Sequence, residues 1–463
     1  MPSSKSLLWL LIFGFIGLGL AFYFDRYWHW LAMALGAGIL CLIVYLKNGF
    51  KYLIPALVFC LPISVALPIS SSAKMVLPAE FIIVILAPIV LLKLWEHQKD
   101  RFLFRFPWPA LWLISFIPGL IFSDLPLVSI KFWILNGLYV LAFYYGILIW
   151  RAEGGNFNSL VKLFAWAMLP ASLIGLYHFA EYEFNPITLA GIYKPFFYSH
   201  TYFGATVAII AGFSLGKASQ DKSWWPIAIA LGVLAMISGS RAALWSILFM
   251  LGIYTLLQLK PLWRFALPIL GLTIALGLGG YSKLEELFTY NRFQSYDPNA
   301  SIVEKSMSVT NVQSDVSNIE RLNRWVSALR MFEERPHWGF GPGTYQFTYI
   351  PFQEKKLENR LTVHNPDSPP EGSGGTAHSE ILLQLAENGW PSVLLFCLIL
   401  GLWFFKGFTS KSATKALYLP LLLGLSTYYF HMHFNNFLNQ PAFAFLFWSF
   451  GAMIDFQTKP EEA

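Results

Sequence analysis

GGTAHSEILLQLAENGWPSVLLFCLIL, Gly374 to Leu400, decides how the chain is read. It starts as a Gly-rich link and ends in the unbroken apolar run Val393 to Leu400. A run of that character, with the apolar residues before it, suits a lipid environment. His378 and Glu380 therefore stand where a membrane helix begins. Titratable groups are costly at such a position unless they are solvated or have a task. Beyond Glu380, residues Gln384 and Glu387 recur at helical spacing, while His378, Leu382, Leu385 and Gly389 form the adjacent stripe. With Thr376 as cap, His378 falls in the first turn, where the helix dipole and desolvation favour neutral imidazole.

Composition extends the membrane reading to the whole chain. Of 463 residues, 56% are hydrophobic and only 13% charged, with a mean hydropathy of +0.53. Soluble domains carry roughly 25% charged residues. The apolar runs are too long for barrel strands and do not alternate, so the fold class is an all-α polytopic membrane protein. Candidate spans cover about 7–24, 28–46, 52–69, 76–94, 108–124, 130–150, 161–180, 201–216, 224–238, 242–258, 264–280, 378–405, 416–430 and 440–455, a total of about 12–14 helices. The first reads as an uncleaved helix because no small-residue cleavage site follows it. Cys41, Cys60 and Cys397 lie in apolar runs and read as packing residues. The formal charge of +6 reflects loop Lys and Arg, and no nucleic-acid partner is implied.

With the N-terminus inside, seventeen Lys and Arg residues fall in inner segments. The short outer loops hold only Arg26, Lys74, Lys131, Lys194 and Arg241. This bias predicts cytoplasmic termini. Tyr27-Trp28, Trp224-Trp225 and Tyr428-Tyr429 read as an interfacial aromatic belt. The organisation is then N-terminal helices over 1–280, an outer polar loop over 281–377 and C-terminal helices over 378–463. A loop this long implies a function. Within it Ser317 to Glu320 is a capping box, opening a helix to about Glu334. Its stripe Ile319, Leu322, Trp325, Leu329 and Phe332 predicts packing on the membrane domain or interface. Arg321 and Arg324 share a face, and Arg321 falls in the first turn, a place that suits an opposing anion. His337 to Tyr345, HWGFGPGTY, predicts a tight turn and no phosphate-binding P-loop.

Other ionisable residues gather at the same side. Arg241 sits in the Ser238-Gly-Ser-Arg turn, where it either snorkels or meets a ligand. Glu80 lies inside a span, with Lys74 near enough for an ion pair or a shared functional role. His200 precedes a span, and His431 and His433 lie between the last two. These are structural or line a polar cleft, and both readings stand at this point.

Four motifs in order resemble the O-antigen ligase/polymerase superfamily. They are Ser238-Gly-Ser-Arg-Ala, the helix with Arg321, Trp325 and Ala328 before Pro336, Gly339-Phe-Gly-Pro-Gly-Thr-Tyr, and Ala377-His-Ser-Glu through Ala386-Glu-Asn-Gly389. Ser379 and Ala242 depart from the common Asn and Gly, and neither removes a charged group. The resemblance covers roughly residues 200–405. It implies a GT-C-like glycosyltransferase of the bacterial inner membrane with a periplasmic active site. The donor would be a glycan on undecaprenyl diphosphate and the acceptor lipid A-core or another glycan. No cofactor, nucleotide sugar or metal is implied, and no outer Asp-x-Asp pair is present. His378, Arg321 and Arg241 are the expected catalytic residues. Arg324, Glu380, His200, Lys74, Glu80, His431 and His433 are the expected substrate-binding ones. O-antigen ligation leads the functional expectations, followed by polymerisation of lipid-linked repeats, protein O-glycosylation and polysaccharide transport. Transport fits less well because no internal repeat is found and the polar residues avoid the midplane.

Overall fold

The computed structural model describes residues 49–70, 73–97, 107–184, 186–258, 316–359, 361–363, 375–409 and 412–456. The spans expected at 7–24, 28–46 and 264–280, and the first part of the polar loop, lie outside these residues. The described chain is mostly helical. Helix α1 (Phe50–Cys60) runs into a 3-10 turn (Leu61–Ile63) and then a hairpin of β1 (Val65–Ser70) and β2 (Ala73–Leu77). The span expected over 52–69 therefore stops at Ile63. Pro62 and Pro68 cannot continue a helical hydrogen-bond ladder. The Ser64 hydroxyl closes the hairpin base, donating to the Cys60 carbonyl at 2.8 Å and accepting from Ala79 N–H at 3.1 Å.

Next come α2 (Ala79–Glu96), α3 (Trp108–Ile114) and α4 (Ile117–Ile121). The span expected over 108–124 is thus two short helices. Pro118 lacks an N–H to pair across the break, and Ser115 donates its hydroxyl to the Trp112 carbonyl at 2.6 Å. Helices α5 (Pro126–Ala152) and α6 (Phe157–Glu181) follow, then α7 (His200–Ala218), α8 (Trp225–Ile237) and α9 (Arg241–Gln258). The polar segment supplies α10 (Val316–Glu334) and α11 (Tyr345–Thr348). The chain ends in α12 (Glu380–Thr409), α13 (Ser412–His431) and α14 (Pro441–Phe456). Among the described residues α5, α6 and α12 are long and apolar enough to cross a membrane.

The core forms where α7, α13 and α14 meet. Lipid offers little hydrophobic drive between helices, so close packing must hold them. Helix α7 carries Gly204, Ala208, Gly212 and Gly216 at four-residue spacing, which aligns them on one stripe. A Cβ on Gly212 would come within 2.6 Å of the Leu423 carbonyl, and one on Gly216 within 2.5 Å of Pro420 Cα. Backbone therefore lies directly on backbone. Helix α14 is buried from Pro441 to Asp455. At its end the Asp455 carboxylate accepts from Tyr144, Trp403 (3.1 Å) and Lys406, which ties α5, α12 and α14 together. By contrast Leu394, Leu398 and Phe405 of α12 are exposed, as lipid-facing residues are. The belt reading fails at Trp224 and Tyr428: both are buried, Trp224 against Phe213 and Tyr428 against Phe443 and Phe447.

The segment 316–363 folds onto α12 with a small core of its own. Ala328, Met331, Phe340, Tyr345, Tyr349, Ala377, Leu383 and Ala386 share one cluster, and Ile319, Leu322 and Leu357 share another. The apolar face of α10 is thus occupied by the segment's own residues and by α12, rather than laid on an interface.

Candidate functional site

Three helices begin at the same end of the bundle, and a serine caps each. The Ser199 hydroxyl accepts from Tyr202 N–H at 3.2 Å, so His200 is the first residue of α7. Ser240 accepts from Ala243 N–H at 3.2 Å, which makes Arg241 the first residue of α9. Ser379 accepts from Leu382 N–H at 3.4 Å ahead of α12. This corrects the cap expected at Thr376. His378 precedes the capping serine instead of lying in the first turn, and it adopts a left-handed backbone with φ of 50°. Helix N-termini carry partial positive charge and unpaired N–H groups, so three together favour an anion.

Packing brings the first two together. Gly204, one turn after His200, has no side chain, and a Cβ there would meet Ser238 Oγ at 2.6 Å and Ser240 Cβ at 2.9 Å. The Ser238-Gly-Ser-Arg turn therefore sits against α7 at the level of His200. Helix α10 adds Arg321 and Arg324. Since α10 starts at Val316, Arg321 lies in its second turn, and the dipole argument applies instead to Arg241 at the head of α9. Arg321 donates to Asn318 Oδ1 at 3.3 Å.

Electrostatics show which groups share the site. His200 stands ahead of the apolar run of α7. Burial, then the charges of Arg321 and Arg241, lower its pKa to about 4. Burial, then Arg321 and Arg324, lower that of His378 to about 3. Arg321 thus acts on both imidazoles, and both are neutral at physiological pH. The neutral His378 expected from the sequence stands, with burial and the arginines as its causes. A neutral imidazole can accept a hydrogen bond or a proton from a hydroxyl. His200 Nδ1 is buried with no hydrogen-bond partner among the described residues.

Arg324 is held differently. It makes a buried ion pair with Glu320 at 2.6 Å, with side chains 4% and 7% exposed. Its guanidinium lies 4.1 Å over the Tyr349 ring, and Gly375 backbone covers it so closely that a Cβ would meet Nη1 at 2.0 Å. Glu320 also accepts from Thr362 (3.0 Å) and Asn359 (3.3 Å). From the sequence Glu320 reads only as a capping-box residue. Its four-residue spacing from Arg324 is the signal for this pair.

The doorway residues dock on the turn between α13 and α14. Met432 carbonyl accepts from Glu380 N–H at 2.8 Å and Ser379 Oγ at 3.3 Å, and Leu438 N–H donates to Glu380 at 3.5 Å. Trp325 Nε1–H reaches the His378 carbonyl at 3.4 Å. Glu380 is thus buried as an anchor of the turn. His431 is buried beside Asn435, and His433 packs edge-on to Tyr429 at 5.4 Å. The stripe Glu380, Gln384 and Glu387 faces protein: Trp112 donates to Gln384 at 3.0 Å and Tyr345 N–H to Glu387 at 3.0 Å.

The HWGFGPGTY turn clasps α12 where that helix kinks. Phe340 N–H donates to the Ala386 carbonyl (3.0 Å), Gly341 N–H to Glu387 (2.8 Å) and Trp390 N–H to Pro336 (3.0 Å). Gly389 has φ of 73° and Gly339 of 63°. A Cβ on Gly339 would meet Glu387 backbone at 2.3 Å, and one on Gly389 the His337 carbonyl at the same distance. Glycine is therefore required at both.

Glu80 and Lys74 stand apart from this cluster. Glu80 accepts from Val76 N–H at 2.8 Å, and among the described side chains Lys131 is a cation acting on it. Lys74 lies on β2 opposite Pro68. Glu80 is not among the charges acting on His200 or His378.

The fold and this cluster define a helical membrane protein with a partly buried arginine and imidazole site at the head of a spanning helix. Residues 226–397 match the family described as O-Antigen ligase. That match supports the O-antigen ligase/polymerase superfamily for this segment, a family of glycosyltransferase-like enzymes. The matched stretch contains Arg241, Arg321, Arg324, His378 and Glu380, and excludes His200, Glu80, His431 and His433. No curated protein matches the chain.

Proposed function

We propose that this protein transfers a glycan from undecaprenyl diphosphate to a hydroxyl of lipid A-core, at the periplasmic face of the bacterial inner membrane. One arrangement carries the reading: α7 packs at Gly204 on the turn that holds Arg241, and Trp325 of the Arg321 helix reaches the His378 carbonyl, so that the charge of Arg321 acts on both imidazoles. Two guanidiniums, two neutral imidazoles and three helix N-termini suit a diphosphate beside a nucleophilic hydroxyl. The leaving diphosphate gains negative charge in the transition state. Preorganised cations aimed at such charge often lower the barrier more than any other single effect. Guanidinium matches phosphate oxygens in bidentate fashion. We assign that role to Arg241 and Arg321. His378 orients the diphosphate or accepts the acceptor proton, and Arg324 with Glu320 positions α10. Attack opposite the leaving group would invert the anomeric centre.

The reading is tested by His378→Ala and Arg321→Ala, each expected to abolish glycan transfer while the protein still inserts. Near-normal transfer by either variant removes that residue's assignment. A deletion strain analysed for lipopolysaccharide separates the activities. Loss of all capped molecules with lipid-linked polymer accumulating supports a ligase; capping by single repeats means a polymerase.

A further inference from the structure

At the other end of the bundle a cleft of about 320 Å³ opens between α5, α6, α7, α13 and α14. Lys217 lies 17 residues along α7 from His200, about 26 Å away at 1.5 Å per residue. The cleft is therefore distinct from the arginine and imidazole site. Among the described residues two cations line it, Arg151 and Lys217. Arg151 is fixed: it donates to the Gly155 carbonyl at 3.0 Å and rests 5.2 Å over the Phe456 ring. The α6 N-terminus, capped by Asn156, opens into the same space. The opposite wall is apolar, made of Phe213, Leu417, Leu421 and Met453. Leu417 is 48% exposed, so this wall continues to the outer surface of the bundle. Among nearby carboxylates Glu153 pairs with Lys93 and Asp455 with Lys406, while Asp221, which accepts from Ser223 N–H, lies outside the cleft lining and acts on Lys217 by charge.

We propose that this cleft binds the headgroup of an anionic phospholipid, with an acyl chain along the apolar wall. A cationic end beside an apolar wall that reaches the lipid-facing surface matches an amphiphile. A free phosphate would use only the polar half. Basic recesses between membrane helices hold anionic headgroups by this division of labour. Lys217 sets the preference for charge, Arg151 and the α6 N-terminus orient the phosphate, and Leu417 meets the chain.

The test titrates the purified full chain in non-ionic detergent with phosphatidylglycerol, phosphatidylcholine and inorganic phosphate, and reads thermal stability and bound lipid by native mass spectrometry. Phosphatidylglycerol is expected to bind and stabilise, with phosphatidylcholine and phosphate inert at the same concentration. Lys217→Gln should weaken phosphatidylglycerol binding about five-fold, the worth of one cation near a lipid surface. Lys217→Arg should keep it, which controls for misfolding. Leu417→Asn should weaken lipid binding with Lys217 intact. Equal binding of the two lipids, an unchanged preference in Lys217→Gln, or full stabilisation by inorganic phosphate would each overturn the proposal.

Discussion

Glu320→Gln probes how the site is held. The wild-type pair is buried on both sides, with N and O 2.6 Å apart. Removing one partner of such a pair costs about 3–5 kcal/mol, because the other charge is left buried without its counter-ion. The low end applies here, about 3 kcal/mol, since the glutamine oxygen can still accept from Thr362 and Asn359. Arg324→Met alone should cost a similar amount: it strands the carboxylate and removes the cation from the Tyr349 ring. The double variant Glu320→Gln/Arg324→Met should cost clearly less than the sum, with a coupling of about 2 kcal/mol. The assay is thermal unfolding of the four proteins in one detergent, read beside glycan transfer in cells. Additive losses, or a Glu320→Gln protein as stable as wild type, would refute the claim that this pair holds α10 in place.

Arg241→Lys should lose most transfer activity if bidentate contact is required, and full activity in a cell-based lipopolysaccharide assay would reject that geometry. Gly339→Ala should destabilise by at least about 1–2 kcal/mol from backbone conformation alone, before the clash with Glu387, and a protein with unaltered melting would contradict the clasp. The imidazoles predict a pH dependence. Unfolded histidine protonates near its ordinary value of about 6.5, while His378 and His200 stay neutral to about 3 and about 4. The unfolded chain binds more protons in that window. Their contribution is whole above about 6.5 and is lost as pH falls toward 4. Wild type should lose melting temperature between pH 7 and 5 more steeply than His378→Gln; parallel curves would disprove it.

The helical fold is legible in the sequence because long apolar runs admit few alternatives in lipid. Boundaries fail where proline intervenes, at the hairpin after Ile63 and at the break before Ile117. Hydropathy averages over such breaks, whereas the backbone ladder at each is short of a donor. At the site, His378 and Arg241 reveal themselves through their cost, as polar groups at the ends of apolar runs, and Arg321 through its place on a helix face shared with Arg324. Glu320, Tyr345 and Tyr349 escape notice because they look ordinary in an already polar segment, and only folding buries them. His378 carries a further lesson. Spacing puts it inside a helix, but the Ser379 hydroxyl competes better for the cap. Glu80 has as good an intramembrane signal as any residue, yet it serves the hairpin.

The stripe of glycines on α7 has a mechanical consequence. An interface built from side chains can yield by changing rotamers. Where Gly212 and Gly216 meet the backbone of α13, no rotamers exist to change. That seam opens only if two whole helices part. It therefore acts as the fixed frame of the molecule, with His200 carried at its rim. Accommodation of a bulky glycan then falls to elements outside that seam, where side chains rather than bare backbone make the contact.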